Sequence, residues 1–172
     1  MVRIDLQIRE VRFPEDLQIV QKLLFDYLSW GNSQMQFHFG VHPHNPAQQV
    51  FEDIQNIDKF LPPHGRMLLA CKGNEVCGIG ALVSMESKIG EIKRMYVDPS
   101  FRNLGVGKAI LNSLLEFAKK EEYQKVRLNS PKFMQAAHSL YRSVEFYEIE
   151  VYPEVEIPEA FRQYLLFMEL EF

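Results

Sequence analysis

Residues 91–111 have the residue types and spacing that suit an anion-binding site. Residues 91–97 are rich in branched and aromatic side chains, as strands are, and Pro99 ends the strand because proline cannot donate to a ladder. Gly105 and Gly107 follow, and a helical pattern begins directly after them. Glycines let backbone N–H groups crowd together, and the first N–H groups of a helix have no partner within it. The stretch therefore predicts a site for an anion, most often a phosphate.

Several kinds of glycine loop could produce such a site. A nucleotide-binding P-loop needs Gly-x4-Gly-Lys-Ser/Thr, but Arg102 stands at the first glycine and Ala109 at the hydroxyl position. A dinucleotide fingerprint needs a third glycine where Ile110 stands, and it opens a βαβ unit rather than following antiparallel strands. We exclude both. A purely structural turn stays open, and so does the motif Arg-x-x-Gly-x-Gly, which Arg102, Gly105 and Gly107 fill.

The rest of the chain predicts the elements that position this loop. Hydrophobic periodicity predicts strands over 4–13, 66–71, 76–85, 89–97, 125–130, 146–151 and 165–170, and helices over 14–29, 46–60, 105–122 and 134–144. Short turns join the strands between 66 and 97, which predicts an antiparallel meander, and the helix after 105 predicts a right-handed parallel crossover. The expected fold class is α+β, with three layers: a mixed, mostly antiparallel seven-stranded sheet with a central parallel step and helices on both faces.

Residues 30–45 predict a loop, because Gly31 and Gly40 interrupt any regular pattern. The segment is rich in aromatic residues, Phe37 among them, so we expect it to pack as a lid over the core or as a wall of an acceptor pocket. Its histidines suggest a metal site as an alternative, but no cysteine or carboxylate completes a ligand set before Glu52. These histidines are His38, His42 and His44.

Composition restricts the class of protein. The 172 residues suit a single domain over 1–172, and the formal net charge of -4 argues against a nucleic-acid partner. Cys71 and Cys77 lie in apolar, strand-like segments and predict reduced core residues, with a disulfide or metal pair as the alternative. No apolar run approaches the ~18 residues of a membrane span, and the charged N-terminus does not fit a signal peptide. We expect a cytoplasmic protein that binds neither nucleic acid nor membrane.

The loop motif, its neighbours and the order of the elements together carry a resemblance. Tyr-Val-Asp-Pro at 96–99 precedes the Arg-x-x-Gly-x-Gly loop, and Leu-Tyr-Arg at 140–142 follows on a later predicted helix. The chain resembles the GNAT superfamily of acyl-CoA-dependent N-acyltransferases over most of its length, and most strongly over 91–146. That resemblance implies a GNAT-like fold, acetyl-CoA (coenzyme A) as the cofactor, and no requirement for a metal.

The resemblance also implies where coenzyme A binds. The amides of about 104–108 would hold its pyrophosphate with Arg102 as a cationic partner, and the backbone of 95–97 would contact its pantetheine arm. Core packing is a compatible alternative for Met95 and Val97. The residues expected to bind the cofactor are Met95, Tyr96, Val97, Arg102, Asn103, Leu104, Gly105, Val106, Gly107, Lys108, Met134 and Ala137.

For catalysis the resemblance points to a tyrosine and a carboxylate. Tyr141 matches the family's tyrosine that donates a proton to the leaving sulfur, and Glu91 on the central strand is the candidate base, acting through water. Both also have structural alternatives, as a buried tyrosine and as a strand-end carboxylate. Phe37, Tyr152 and Glu154 are expected to shape the acceptor site.

Two positions depart from the family's pattern. Met134 stands where the family often has asparagine, which removes a polar contact to the cofactor arm. Glu145 stands where the family often has glycine, so the turn before Phe146 either does not need a positive φ or tolerates strain. Neither departure affects the pyrophosphate loop.

These inferences predict an acetyl-CoA-dependent N-acetyltransferase that transfers acetyl directly to the primary amine of a small or amino-acid-like molecule. The net charge of -4 and the acidic residues at 91, 154, 156 and 159 fit a cationic acceptor loosely. Two alternatives stay open: an acyl-CoA-binding sensor or regulatory domain without turnover, and an acetyltransferase of protein N-termini or lysines, which would need an open groove. A homodimer is expected by analogy with the family alone.

Overall fold

The computed structural model describes residues 5–172. The strands are β1 (Leu6–Glu10), β2 (Gly65–Lys72), β3 (Glu75–Ser84), β4 (Ile89–Val97), β5 (Lys125–Pro131), β6 (Tyr147–Ile149) and β7 (Leu165–Glu171). The helices are α1 (Leu17–Phe39), α2 (Pro46–Gln55), α3 (Val106–Lys120), α4 (Gln135–Ser143) and α5 (Glu159–Arg162), with 3-10 turns at Ile57–Phe60 and Pro99–Phe101. The first strand was predicted from Ile4, which lies outside the described residues.

The strands form one mixed sheet in the order β1-β2-β3-β4-β5-β7-β6. β2, β3 and β4 are the predicted antiparallel meander, because tight turns join them. The pair of β4 and β5 is parallel, and α3 provides the crossover between them. The predicted fold class is therefore confirmed, including the central parallel step.

Helices cover both faces of the sheet because alternate residues of each strand point in opposite directions. On one face, Leu82 and Ile92 pack against the apolar stripe of α3, which includes Ile110. On the other face, Leu69 packs against α1 through residues such as Leu24. The sheet thus lies between two apolar layers. The two cysteines are buried and free, as predicted for Cys71 and Cys77.

Helix α1 has 23 residues and continues through most of the segment predicted as a loop. The expected end near Ser29 is wrong: Gly31 lies inside the helix, which ends where Gly40 takes a left-handed φ of 71°. A helical glycine costs only about 1 kcal/mol relative to alanine. Burial of Leu28 and Met35, on either side of Gly31, outweighs that cost.

Other differences are smaller. The helix predicted over 46–60 is α-helical only as far as Gln55, β6 has 3 residues rather than the predicted six, and α5 was not predicted. Although α1 has the length to cross a bilayer, no helix in residues 5–172 combines that length with the apolar character that crossing requires.

Candidate active site

β4 and β5 separate in the middle of the sheet and open a cleft. Their parallel pairing ends where Glu91 lies opposite Arg127. Beyond that point β4 has one extra residue relative to β3, and Arg94 takes a positive φ of 57°. A bulge of this kind bends a strand and interrupts its ladder. The resulting cleft has a volume of about 560 Å³ between α1, β4, the loop before α3, and α4.

The loop before α3 presents a row of unpaired amides at this cleft. Asn103 and Gly105 take left-handed φ values of 61° and 82°, which turn the chain into the helix. The first bond of the helical ladder runs from the amide of Ala109 to the carbonyl oxygen of Gly105, 3.0 Å away. The backbone N–H groups of 103–108 have no acceptor within residues 5–172. Such a row at a helix N-terminus favours an anion.

Arg102 is held beside this loop by aromatic rings. Its Nε donates to the carbonyl oxygen of Val97 at 3.1 Å. Its guanidinium carbon lies 4.9 Å from the ring centroid of Trp30 and 5.8 Å from that of Tyr96. The cation therefore lies in a fixed position against the cleft wall, and its remaining N–H groups are available to a ligand.

Tyr141 lies on α4 and lines the same cleft. Its side chain is buried, yet its hydroxyl has no hydrogen-bond partner within residues 5–172. Burial raises the pKa of Tyr141 far above its ordinary value, with a smaller contribution from Tyr27. The hydroxyl is therefore a protonated donor at neutral pH, facing a space that a ligand can fill.

The structure brings nearly all of the predicted cofactor residues to one surface. Among them only Leu104 does not line the cleft, and its side chain is 39% exposed. The residues that do line it are Met95, Tyr96, Val97, Arg102, Asn103, Gly105, Val106, Gly107, Lys108, Met134 and Ala137. Their assignment to the cofactor stays a prediction, although all of them line the same cleft.

The two departures from the family's pattern have different structural outcomes. Met134 lines the cleft, and its sulfur accepts a hydrogen bond from the hydroxyl of Ser130 at 3.6 Å. Glu145 takes a positive φ of 76° after α4. The turn therefore does adopt the left-handed conformation, and the chain tolerates the strain of a side chain there.

The segment expected as a lid or as a wall of an acceptor pocket does form a wall of the cleft, but the sequence analysis did not predict that this wall is helical. Trp30, Gln34 and His38 line the cleft, and they recur every four residues on one face of the helix. The ring of His38 stacks on that of Phe133 at 4.7 Å with an interplanar angle of 6°. The spacing of four was visible in the sequence, but the expected helix end near Ser29 hid it.

Glu91, the candidate base, is buried and lines neither this cleft nor the pocket described next. Its side chain accepts a hydrogen bond from the Tyr152 hydroxyl at 2.8 Å and pairs with Nζ of Lys93 at 2.7 Å. Burial opposes the charge of Lys93, but Glu91 and Glu156 outweigh that effect and raise the pKa of Lys93. Burial, and then the charge of Glu91, raises the pKa of Tyr152.

A second cavity of about 150 Å³, hereafter the small pocket, is lined by different residues from the cleft, but helix α1 and strand β4 contribute to both. Arg94 lines the small pocket, whereas the next residue, Met95, lines the cleft. Helix α1 contributes to both cavities as well: Gly31 lines the small pocket and Trp30 lines the cleft. The remaining residues that line the small pocket are Tyr27, Leu28, Met35, Pro43, His44, Asn129, Pro131, Ile157, Pro158, Phe161 and Leu165.

The predicted acceptor residues lie outside both cavities. Phe37 is 80% exposed and points away from the cleft wall that its helix forms. Tyr152 is buried over Glu91, and Glu154 pairs with Arg127 at 3.3 Å on the surface. The structure therefore does not bring Phe37 to the site. It places Tyr152 against the candidate base, Glu91, and Glu154 against Arg127, which lies opposite Glu91 in the ladder.

The histidines predicted as an alternative metal site are dispersed. His38 lines the cleft and His44 lines the small pocket. Within residues 5–172, no three His, Cys, Asp or Glu side chains are grouped where they could hold a metal ion.

Residues 27–146 match the sequence pattern of the Acetyltransferase (GNAT) family. The chain therefore belongs to this family of acetyltransferases.

Similar proteins extend this finding. An uncharacterized N-acetyltransferase from Schizosaccharomyces pombe is 27% identical over 172 residues, covering 97% of this chain and 95% of that protein. The N-acetylaspartate synthetase of Homo sapiens is 35% identical over 97 residues, which cover 55% of this chain and only 32% of the synthetase. This chain thus matches about a third of the synthetase.

Solved structures show the same fold at low sequence identity. A GCN5-related N-acetyltransferase from Kribbella flavida superposes with a TM-score of 0.73 at 18% identity, covering 97% of this chain and 98% of the other. PaiA N-acetyltransferase from Thermoplasma acidophilum, in complex with coenzyme A, has a TM-score of 0.69 at 15% identity, covering 98% and 99%.

Proposed function

We propose that the protein is an acetyl-CoA-dependent N-acetyltransferase that transfers acetyl directly to the primary amine of a small molecule. Family membership establishes the class of acetyltransferases, whereas the donor and the acceptor are the proposal. The observation that carries it is the row of unpaired amides at 103–108, in the loop that borders the cleft between α1, β4 and α4.

The cleft residues fit the parts of coenzyme A. The amides of 103–108, together with Arg102, would hold the pyrophosphate, because both supply positive charge at one point. Residues 95–97 of β4 have no β5 partner in the ladder, so their backbone groups could bond to the pantetheine arm. The T. acidophilum neighbour, a structure with coenzyme A, supports this use of the fold.

The chemistry of transfer needs two proton movements. When bound, acetyl-CoA supplies an activated thioester, and the chain must accept a proton from the amine and give one to the sulfur. Tyr141 suits the second task, because its hydroxyl is protonated and has no other partner in the described chain. Glu91 is the proposed base for the first task, and it must act through water because it lines neither cavity.

Two observations favour a small acceptor. Helix α1 forms a continuous wall beside both cavities, whereas a protein substrate would need an open groove there. The name of one group of relatives, N-acetylaspartate synthetase, refers to an acetylated amino acid. That name supports an acceptor about the size of an amino acid. The free hydroxyl of Tyr141 favours turnover over the alternative of a sensor domain.

A thermal-shift titration with acetyl-CoA and with coenzyme A tests the donor. A ligand at 100 times its Kd stabilises the folded state by about 2.7 kcal/mol, which is a readily measured shift. A thiol-release screen over primary amines then tests transfer. No stabilisation at millimolar concentration would refute the proposal, and stabilisation without thiol release from any amine would favour the sensor domain.

The remaining expectations stay predictions. They are a single domain over 1–172, a cytoplasmic location, a homodimer, and the absence of nucleic-acid and membrane partners. The free, buried cysteines support the expected location.

A further inference from the structure

We propose that the small pocket binds a carboxylate of the acceptor, so that the substrate is a primary amine that also carries a carboxylate group. This inference rests on the proposed function, because it names the substrate class of the same site. Its basis is the lining of the small pocket, the orientation of Arg94, and the position of the pocket beside the cleft.

The lining of the small pocket has one fixed positive charge and no carboxylate. Arg94 supplies the charge, and its neighbours are polar or apolar groups such as Asn129 and Phe161. The nearby Glu156 is already paired with Lys93 at 3.0 Å, and its side chain is 72% exposed. Asp53, which lies outside this lining, balances the charge of Arg94. Preference for a carboxylate therefore rests on the free N–H groups of Arg94 and not on a net positive charge.

Arg94 is held in place so that part of its guanidinium remains free. Its Nε and Nη2 donate to the two oxygens of Asp53 at 2.6 and 2.8 Å, and Asp53 is only 1% exposed. This bidentate pair uses one edge of the guanidinium. Nη1 has no acceptor within residues 5–172, so the edge formed by Nη1 and Nη2 can take a second carboxylate in the same geometry.

The bulge in β4 places this cation beside the transfer site. Arg94 takes a positive φ of 57°, which is a strained conformation for arginine. Neighbouring residues of a strand point in opposite directions, and accordingly Arg94 lines the small pocket while Met95 lines the cleft. A carboxylate on Arg94 would thus lie one residue along β4 from the proposed path of the pantetheine arm.

The size of the small pocket limits the acceptor. A cavity of about 150 Å³ accommodates roughly one benzene ring. Apolar walls from Leu28, Met35 and Leu165 leave room for a short side chain next to the carboxylate. An α-amino acid carries its primary amine and its carboxylate on the same carbon atom. A small amino acid is therefore the type of acceptor that fits.

The test compares each of the standard amino acids with its carboxamide, in which a neutral group of similar size replaces the carboxylate. Binding is measured by calorimetry with and without coenzyme A, and kcat/KM by thiol release at saturating acetyl-CoA. For at least one amino acid we expect the acid to be favoured about tenfold or more over the amide, the usual effect of a charge-assisted bond. If no acid is favoured over its amide, the inference is wrong.

Substitutions at Asp53 and Arg94 test whether Arg94 causes the preference for the acid over the amide. In the double variant D53N/R94Q an amide pair replaces the ion pair, which leaves no unpaired buried charge, and we expect the preference to disappear. D53N alone keeps the cation and should keep the preference. A double variant that retains the preference while folded would overturn the inference.

The calorimetry without coenzyme A separates the two proposals. Loss of coenzyme A binding with a retained preference for acids would refute the proposed function alone. Normal coenzyme A binding and thiol release with equal use of acid and amide would refute the carboxylate pocket alone.

Discussion

Tyr141 and Glu91 are both buried, but they differ in how many of their hydrogen-bonding atoms are free to contact a ligand. The Tyr141 hydroxyl lies in the cleft without a partner in the described chain, and burial, with a smaller contribution from Tyr27, raises its pKa. The Glu91 carboxylate accepts from Tyr152 and pairs with Lys93. A free donor can act directly on a ligand, whereas a carboxylate with two partners must exchange one of them or act through water.

Replacing Tyr141 by phenylalanine should remove proton donation and leave cofactor binding intact. General-acid catalysis contributes about 10²–10⁴-fold to rate, so kcat should fall by about that factor while the thermal shift with coenzyme A is unchanged. Because burial raises the pKa of Tyr141, the wild-type rate should not decline through deprotonation of this group as pH rises from 7 to 9.

Tyr123→Phe is the matched control for that variant. Tyr123 packs against Phe117 at the end of α3 and does not line the cleft, so its loss of a hydroxyl should leave kcat unchanged. An equal loss of kcat in both variants, or a full rate in Tyr141→Phe, would contradict the assigned role.

At the scale of elements, the loop before α3 depends on a backbone conformation. Gly105 has a φ of 82°, and no atom lies within 4 Å of the Cβ that a side chain would add. We expect Gly105→Val to abolish the thermal shift with coenzyme A, because a branched side chain strains the loop and obstructs the row of amides. The folded state should persist, which circular dichroism would show.

Gly73→Val provides the matched control for strain. Gly73 has a φ of 60° in the turn between β2 and β3, and it also has no atom within 4 Å of an added Cβ. The two variants therefore carry a similar backbone cost at different places. Coenzyme A binding should survive in Gly73→Val, and normal binding in Gly105→Val would remove the pyrophosphate assignment.

The length of α1 leads to a separate prediction about stability. Gly31 lies in the helix interior, and an added Cβ would meet no atom within 4 Å. Gly31→Ala should therefore raise the free energy of unfolding by about 0.5–1 kcal/mol, measured by urea titration. No gain in stability would indicate that residues 30–39 are not helical in solution.

At the scale of the whole molecule, Glu169 joins the strands beyond the parallel step. It accepts hydrogen bonds from Lys125 and Arg127 of β5 and from Tyr147 of β6. Burial opposes its charge, but the bonds from Arg127, Lys125 and Tyr147 outweigh burial and lower the pKa of Glu169 below 4.5. Between the lowered pKa of Glu169 in the folded state and its ordinary value of 4.5 in the unfolded state, the unfolded state therefore binds more protons than the folded state.

We therefore expect the contribution of Glu169 to stability to be complete above pH 4.5 and to be lost as pH falls through the lower, folded-state pKa. Glu169→Gln should reduce the free energy of unfolding by about 1.5–3 kcal/mol at pH 7, and this difference should shrink in acid. Urea titrations at pH 7 and pH 3 measure both values.

Glu171→Gln is the control for an exposed partner of the same lysine. Glu171 pairs with Lys125 at 2.7 Å, but its side chain is 55% exposed, so solvent screens the pair and the loss should be clearly smaller than for Glu169→Gln. Equal effects of the two substitutions would show that burial does not determine the strength of this network.

The sequence by itself determined the central strands, the glycine loop and the helix after it. Each depends on neighbouring residues: Pro99 ends a strand, Gly105 permits a left-handed φ, and the apolar stripe of α3 repeats at helical spacing. Local signals of this kind act within about one turn of a helix, so they are visible without a fold. Much of the lining of the cleft was predictable because most of those residues belong to this local unit.

Only the tertiary structure decided how α1, Arg94 and Glu91 are placed. Packing of Leu28 and Met35 carries α1 past Gly31, against the local preference of glycine. Asp53 and Arg94 are 41 positions apart, and Glu91 and Tyr152 are 61 apart, yet each pair is hydrogen-bonded. Such partners are selected by the folding of the sheet, because no periodic pattern links residues so distant in the chain. The glycine loop before α3 is therefore a local property of the sequence, and the small pocket is a property of the assembled fold.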